Sequence, residues 1–313
     1  MKKGTIHGII LILMVLAVSL LSGCTFFQDE GRLSGTVMFI HSSPVVQEWL
    51  QQPKKSYIQA YFLFSSDFAS DIIFGIDQEM IEGVNDPIHF PGADWMALVG
   101  LTRDGVLSMP VGTSDALNGT PSDASVWEFI DLGISLQPDT WYFMKEEADF
   151  QKRKFESFTL IGPEVNISVD LSNYNVDYPN YIPIDNRSMT YYVYAIRMAG
   201  EIQLRSTTIY FDDVEAGIET DSGYTVIMKD GFETQYTIPD IPITLPVTHI
   251  SQIKEGFWYK ENENALLSVV DTQMHSGSYS CLCNVTLKGL DQIGQRHIII
   301  NQYLSHRFFP MSE

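Results

Sequence analysis

Two carboxylates two residues apart, Glu147 and Asp149, are the first residues in this sequence whose types and spacing could do chemistry. On a strand such residues share a face. Paired carboxylic acids, one acting as acid and the other as base or nucleophile, are what glycoside hydrolysis requires. A solvated, mixed-charge hairpin over Glu146–Lys154 is the other reading of the same residues. Aromatic side chains offer a second chemistry, because Trp and Tyr present a flat apolar ring with a polar rim on which the C–H face of a sugar can stack. Tyr174, Tyr178 and Tyr181 fall in a stretch rich in Asn, Asp, Tyr and Pro, 173–186, where loop exposure is expected. With Trp258 and Tyr259 they are the expected ligand-binding residues. Trp95, Trp127 and Trp141 are further candidates, but they sit beside apolar strand-like runs, where core packing is the default.

Other chemistries lack a signature. The seven histidines, His41, His89 and His297 among them, are scattered without metal-ligand spacing, and no nucleophile elbow, phosphate loop or dinucleotide fingerprint occurs. Cys281 and Cys283 alternate with Leu282, so on a strand both thiols point to one face. A disulfide at that spacing would be strained, and two small buried thiols are expected. Asn118, Asn166, Asn186 and Asn284 stand in Asn-x-Ser/Thr sequons.

The elements that must position these residues read as strands. Central are Thr140–Glu146, Phe155–Ile161 and Val165–Leu171. In the last, Val165, Ile167, Val169 and Leu171 alternate with Asn166, Ser168 and Asp170, the period of a sheet with one wet and one buried face. Further strands are expected at Gly35–His41, Tyr57–Phe64, Ile72–Ile76, Trp95–Thr102, Val106–Met109, Thr190–Met198 and Thr207–Val214. Arg103-Asp104-Gly105 is a hairpin signal, since Asp-Gly accepts positive φ. One helical turn is expected at Val45–Gln51, before Pro53. Many short strands and no long helical period point to an all-β antiparallel sandwich.

The chain opens with Lys2 and Lys3, an apolar run Ile9–Leu21, and Leu21-Ser22-Gly23-Cys24. Charge, a short apolar stretch and small residues in that order make a secretory leader, and the run falls short of the roughly 20 residues that span a bilayer. The closing tetrad resembles the lipobox of bacterial-type lipoproteins, which implies lipidation of Cys24 and durable membrane anchoring outside the cytoplasm. The formal charge is −20 and becomes more negative once the two lysines leave with the leader. Such a surface repels nucleic acid, which is excluded as a partner.

Trp95–Leu101 followed by Arg103-Asp104-Gly105, then Asp139-Thr140-Trp141-Tyr142, then Ile209–Val214 resemble the strand order of concanavalin A-like and related jelly-roll domains. Lys229–Glu233, Gly256-Phe257-Trp258, Val269–Thr272 and His275–Ser280 are similar to the opening half of jelly-roll carbohydrate-binding modules. These resemblances imply a glycan ligand and a structural calcium on Asp212 and Asp213 in the first unit or Glu233 in the second, with backbone carbonyls completing the six to eight oxygens that calcium needs. Concanavalin A-like glucanases carry Glu-x-Asp-x-x-Glu, and Lys152 stands here where the last glutamate would be.

The expected organisation is a leader (1–23), a lipidated Cys24 with a tether (24–32), a β-sandwich (33–220) and a second, shorter β unit (221–313) that is either truncated or docks its open sheet on the first. The expected function is a non-catalytic, lipid-anchored, extracytoplasmic glycan-binding protein. The alternatives are a structural or adhesive surface protein that binds another protein, and a divergent glycoside hydrolase using Glu147 and Asp149.

Overall fold

The computed structural model describes residues 35–70, 72–82, 93–112, 126–180, 188–197, 207–239, 255–261 and 265–285. Cys24, the leader and tether, Tyr181 and the sequons at Asn118 and Asn186 lie outside them.

Chain order begins with β1 (Thr36–His41), α1 (Pro44–Gln51), β2 (Lys55–Phe64), β3 (Ile72–Glu82), β4 (Ala93–Leu101), β5 (Val106–Val111) and β6 (Val126–Asp131). Then come β7 (Tyr142–Asp149), β8 (Lys154–Gly162), β9 (Val165–Asp170), β10 (Asp177–Asn180) and β11 (Ser188–Arg197). The chain continues through β12 (Thr207–Thr220), β13 (Gly223–Asp230), β14 (Trp258–Glu261), β15 (Ala265–Val270) and β16 (Ser280–Val285). These strands form two antiparallel sheets packed as a sandwich. The first runs β14-β1-β11-β3-β4-β5-β6, with β10 on β4, and the second β15-β16-β12-β2-β7-β8-β9, with β13 on β12.

The expected second unit is corrected by this topology. β14 pairs with β1, and β16 joins β15 to β12, so strands after residue 220 complete both sheets of one sandwich. Their side chains enter the same core: Trp258, Leu267, Val269, Cys281 and Cys283 pack with Phe62, Phe74, Trp95 and Phe211. Edge strands of a lone first unit would present unpaired N–H and C=O groups, which this pairing covers.

Strand parity decides which residues line the core. In β2, Ser56, Ile58, Ala60, Phe62 and Phe64 turn inward, while Tyr57, Gln59 and Tyr61 turn outward; in β7, Tyr142, Met144 and Glu146 turn inward, and Phe143, Lys145 and Glu147 outward. β9 keeps the alternation read from the sequence, with Asn166, Ser168 and Asp170 exposed. β7 continues three residues beyond the expected Glu146, because its charged residues pair across to β2 and β8. β3 likewise runs on through Asp77, Gln78 and Glu79, all buried. α1 is capped by Ser43, opens on Pro44 and buries Val46, Trp49 and Leu50. Cys281 and Cys283 are free and buried, as expected.

The two sheets differ in their outer faces. On the first, Ile73, Met96, Leu98 and Tyr194 form a second apolar cluster, and Asp77, Glu79 and Tyr192 beside it are fully buried. The outer face of the second sheet carries half-buried and exposed side chains. On the first sheet the described outer face opens at β6, where Phe129 is exposed beside Trp127; the second sheet offers the broader accessible face.

Candidate functional site

β2 and β7 lie side by side in that sheet, with Tyr61 opposite Phe143, Gln59 opposite Lys145 and Tyr57 opposite Glu147. β8 flanks β7 with Ile161 opposite Phe143 and Ser157 opposite Glu147. The register creates an aromatic end and a polar middle on one surface.

At the aromatic end, Tyr61, Trp141, Phe143, Ile161, Gly162 and Pro163 line an open cleft of about 380 Å³. The Tyr61 and Phe143 rings are 5.3 Å apart at 59°. His275 lies flat on Tyr61, with centroids 3.5 Å apart and planes 14° from parallel, and stands edge-on to Trp141 at 5.6 Å. A cleft of this size with apolar walls fits one or two rings of a ligand whose faces are apolar and whose rim is polar.

In the polar middle, Glu215 of β12 accepts from the Tyr57 hydroxyl at 2.9 Å and the Gln59 amide at 3.3 Å, and pairs with Lys229 at 3.3 Å. Glu147 pairs with Lys145 at 2.9 Å and accepts from the Ser157 hydroxyl at 3.1 Å. The Lys145 ammonium sits 4.6 Å above the Tyr57 ring and 5.8 Å from that of Tyr224. Burial pushes the Tyr57 phenol well above its usual range, and Glu215 adds to the rise. Burial also pushes Glu147 upward, but Lys145 and the hydroxyl donors outweigh it and hold the carboxyl below the usual range.

Of the expected catalytic pair, Glu147 is therefore engaged in this network. Asp149 lies at the strand end, where it accepts from the Lys152 backbone at 2.9 Å and pairs with the Lys152 ammonium at 2.7 Å. Burial opposes this, yet the lysine holds Asp149 too below its usual range. A carboxyl general acid needs the opposite shift, so neither member of the pair is poised to donate a proton.

The expected calcium ligands come together around another segment. Asp212 is buried and accepts from the backbone N–H of His275 at 2.8 Å and of Ser276 at 3.2 Å. Asp213 takes the His275 Nδ1 at 2.7 Å and the Ser276 hydroxyl at 2.9 Å, and Glu233 accepts from the Ser278 N–H at 2.9 and 3.1 Å. Among the described residues no group of three His, Cys, Asp or Glu side chains is arranged to hold a metal ion. In the structure these carboxylates hydrogen-bond the turn at residues 275–278.

A bulge in β12 makes this possible. The register shifts between Asp212, opposite Tyr61, and Glu215, opposite Gln59, and Asp213 adopts φ 46° there. Extra residues in one strand re-aim side chains that strict alternation would send elsewhere.

The expected aromatic binders fare differently. Trp258 is 3 % exposed and donates its indole N–H to Asp230 at 2.7 Å, and Tyr259 is 7 % exposed. Their ring faces are closed to a ligand because β14 is an integral strand of the first sheet. Tyr174 is half-buried against the core, and Tyr178 is placed on β10, at the opposite sheet. Trp141, expected in the core, instead lines the cleft. Tyr61 and Phe143 were legible by parity, as the aromatic members of the outward sets of β2 and β7. His275 was not, since its partner Asp213 is 62 residues away.

No family model matches the sequence, and no curated protein does. Among solved structures the chain is similar in fold to the polysaccharide lyase family 7 alginate lyase A1-II' at 13 % identity and a TM-score of 0.29, covering 52 % of this chain and 61 % of that one. It is also similar to the eqolisin-family peptidase SCP-B at 11 % identity and a TM-score of 0.33, covering 82 % and 100 %, and to a botulinum neurotoxin type C structure at 7 % and 0.21, covering 86 % and 90 %. The chain spans about six-tenths of the length of that alginate lyase. At these identities the likeness reaches the β-sandwich fold alone. The expectation that the chain is not an enzyme is corrected to this extent: the solved structures to which its fold is similar include alginate lyases and a peptidase.

Proposed function

We propose that the protein engages a glycan on the outer face of its second sheet, held at an extracytoplasmic membrane surface through lipid on Cys24. The observation that carries the glycan reading is the open cleft lined by Tyr61, Trp141 and Phe143 on the outer face of the second sheet. Sugar rings offer C–H faces to such surfaces and hydroxyls to their rim. The polar groups that continue from the cleft along β2 and β7, Gln59, Lys145 and Glu147, supply donors and acceptors for adjacent rings. The resemblance of Leu21-Ser22-Gly23-Cys24 to a lipobox supports the anchoring.

The test is a glycan panel presented to the full-length protein, with bound ligand and cleavage products measured in the same samples. Binding or cleavage is expected, and Trp141→Ala should weaken binding at least tenfold, about 1.4 kcal/mol. A folded protein that neither binds nor cleaves any member would sink the proposal.

A further inference from the structure

The strongest investment near the cleft is the turn that carries His275. Asp212, Asp213 and Glu233 all point their carboxylates at residues 275–278, and two of them satisfy backbone N–H groups. The outcome is one imidazole laid flat on Tyr61 and edge-on to Trp141, two residues that line the cleft. The ring is only partly covered, its side chain 30 % exposed.

The chemistry of that imidazole is fixed by its partner. Nδ1 is 2.7 Å from Asp213 Oδ2, and a carboxylate oxygen accepts, so Nδ1 carries the proton. In the neutral ring Nε2 is then a bare acceptor. Among the described residues nothing hydrogen-bonds to Nε2. The charged and titratable groups facing the ring are Asp212 and Asp213 from β12 and Tyr61 from β2. No basic side chain lines the cleft, and the whole chain carries −20. An anionic sugar would meet repulsion here.

Building on the glycan reading above, we propose that Asp213 and His275 form a recognition pair in which Nε2 accepts a hydroxyl of a neutral sugar bound against Trp141 in the cleft. The pair supplies what aromatic stacking lacks, a directional contact that fixes ring orientation. The class of ligand is a neutral, hydroxyl-rich saccharide, and uronate or sulfated chains are discriminated against.

Two measurements on the full-length protein test this. Long-range proton–nitrogen NMR of the free protein should find His275 protonated on Nδ1; an Nε2–H tautomer overturns the pair. Neutral cello-, manno-, xylo- and galacto-oligosaccharides are then titrated beside oligouronates of equal length. At least one neutral series should bind, and His275→Asn, which keeps a polar group for Asp213 but removes the Nε2 acceptor, should weaken it at least tenfold with an unchanged melting temperature. Asp213→Asn should shift the tautomer and lose affinity in parallel. Unchanged affinity in His275→Asn while Trp141→Ala loses it removes the pair and leaves the glycan reading standing. Preference for oligouronates overturns the ligand class. Binding of no oligosaccharide removes both the reading and the pair.

Discussion

Glu146 and Glu147 are neighbours with opposite fates, and strand parity separates them. Glu147 faces out into its network, whereas Glu146 is fully buried between the sheets and faces Gln78, whose amide donates to it and to the Ser56 carbonyl. Burial pushes the Glu146 carboxyl well above its usual range, against the pull of Gln78. A carboxyl whose folded pKa is raised contributes its full stability below the unfolded value. That contribution is lost as pH rises toward the folded value, at about 1.4 kcal/mol per pH unit. Glu146→Gln has no proton to lose. Its advantage over the native chain in denaturant titrations should be small below the usual carboxylate range and grow as pH rises above it; a pH-independent difference would contradict the raised carboxyl. The sequence placed Glu146 with its charged neighbours, and only the facing sheet makes it a buried residue.

The element that organises the site is β12. Its first half pairs with β16, its second half with β13, and its other edge with β2, so the bulge at Asp213 acts on the cleft through β2, which carries Tyr61, and through the turn that carries His275. The turn it grips depends on Gly277, which adopts φ 63° and lies so close to Glu233 that a Cβ would overlap the carboxylate. Gly277→Ala should cost about 1–2 kcal/mol for the left-handed backbone alone. It should also release Ser278 from Glu233, to be seen as lower stability in urea and faster exchange of the Ser278 amide. A neutral effect on both would show that the turn is held elsewhere. The motif His275–Ser280 and the acids Asp212, Asp213 and Glu233 were all visible in the sequence. Their purpose was not, because hydrogen bonds between residues 45 and 64 positions apart leave no local pattern.

At the scale of the molecule, both sheets alternate early and late strands, and β14, β15 and β16 share the core with the strands that precede residue 220. A chain ending at Thr220 would leave β1 and β12 with open edges and remove Trp258, Leu267 and Cys283 from the packed interior. It should fail to give the single cooperative unfolding transition expected of the whole chain; a cooperative, soluble product would mean the late strands are dispensable. What the sequence determined by itself was local: two-residue alternation, Asp-Gly and Pro turns, the strong negative charge and the absence of helical periods specify antiparallel strands and a sandwich, since each follows from backbone geometry within a few residues. The tertiary structure alone decided that there is one sandwich, which outer face stays open, and that Trp141 and Tyr61 are surface groups with His275 between them. Those outcomes depend on which distant strands pair and in what register, and strand pairing is set by the complementarity of whole faces, which no single stretch of chain contains.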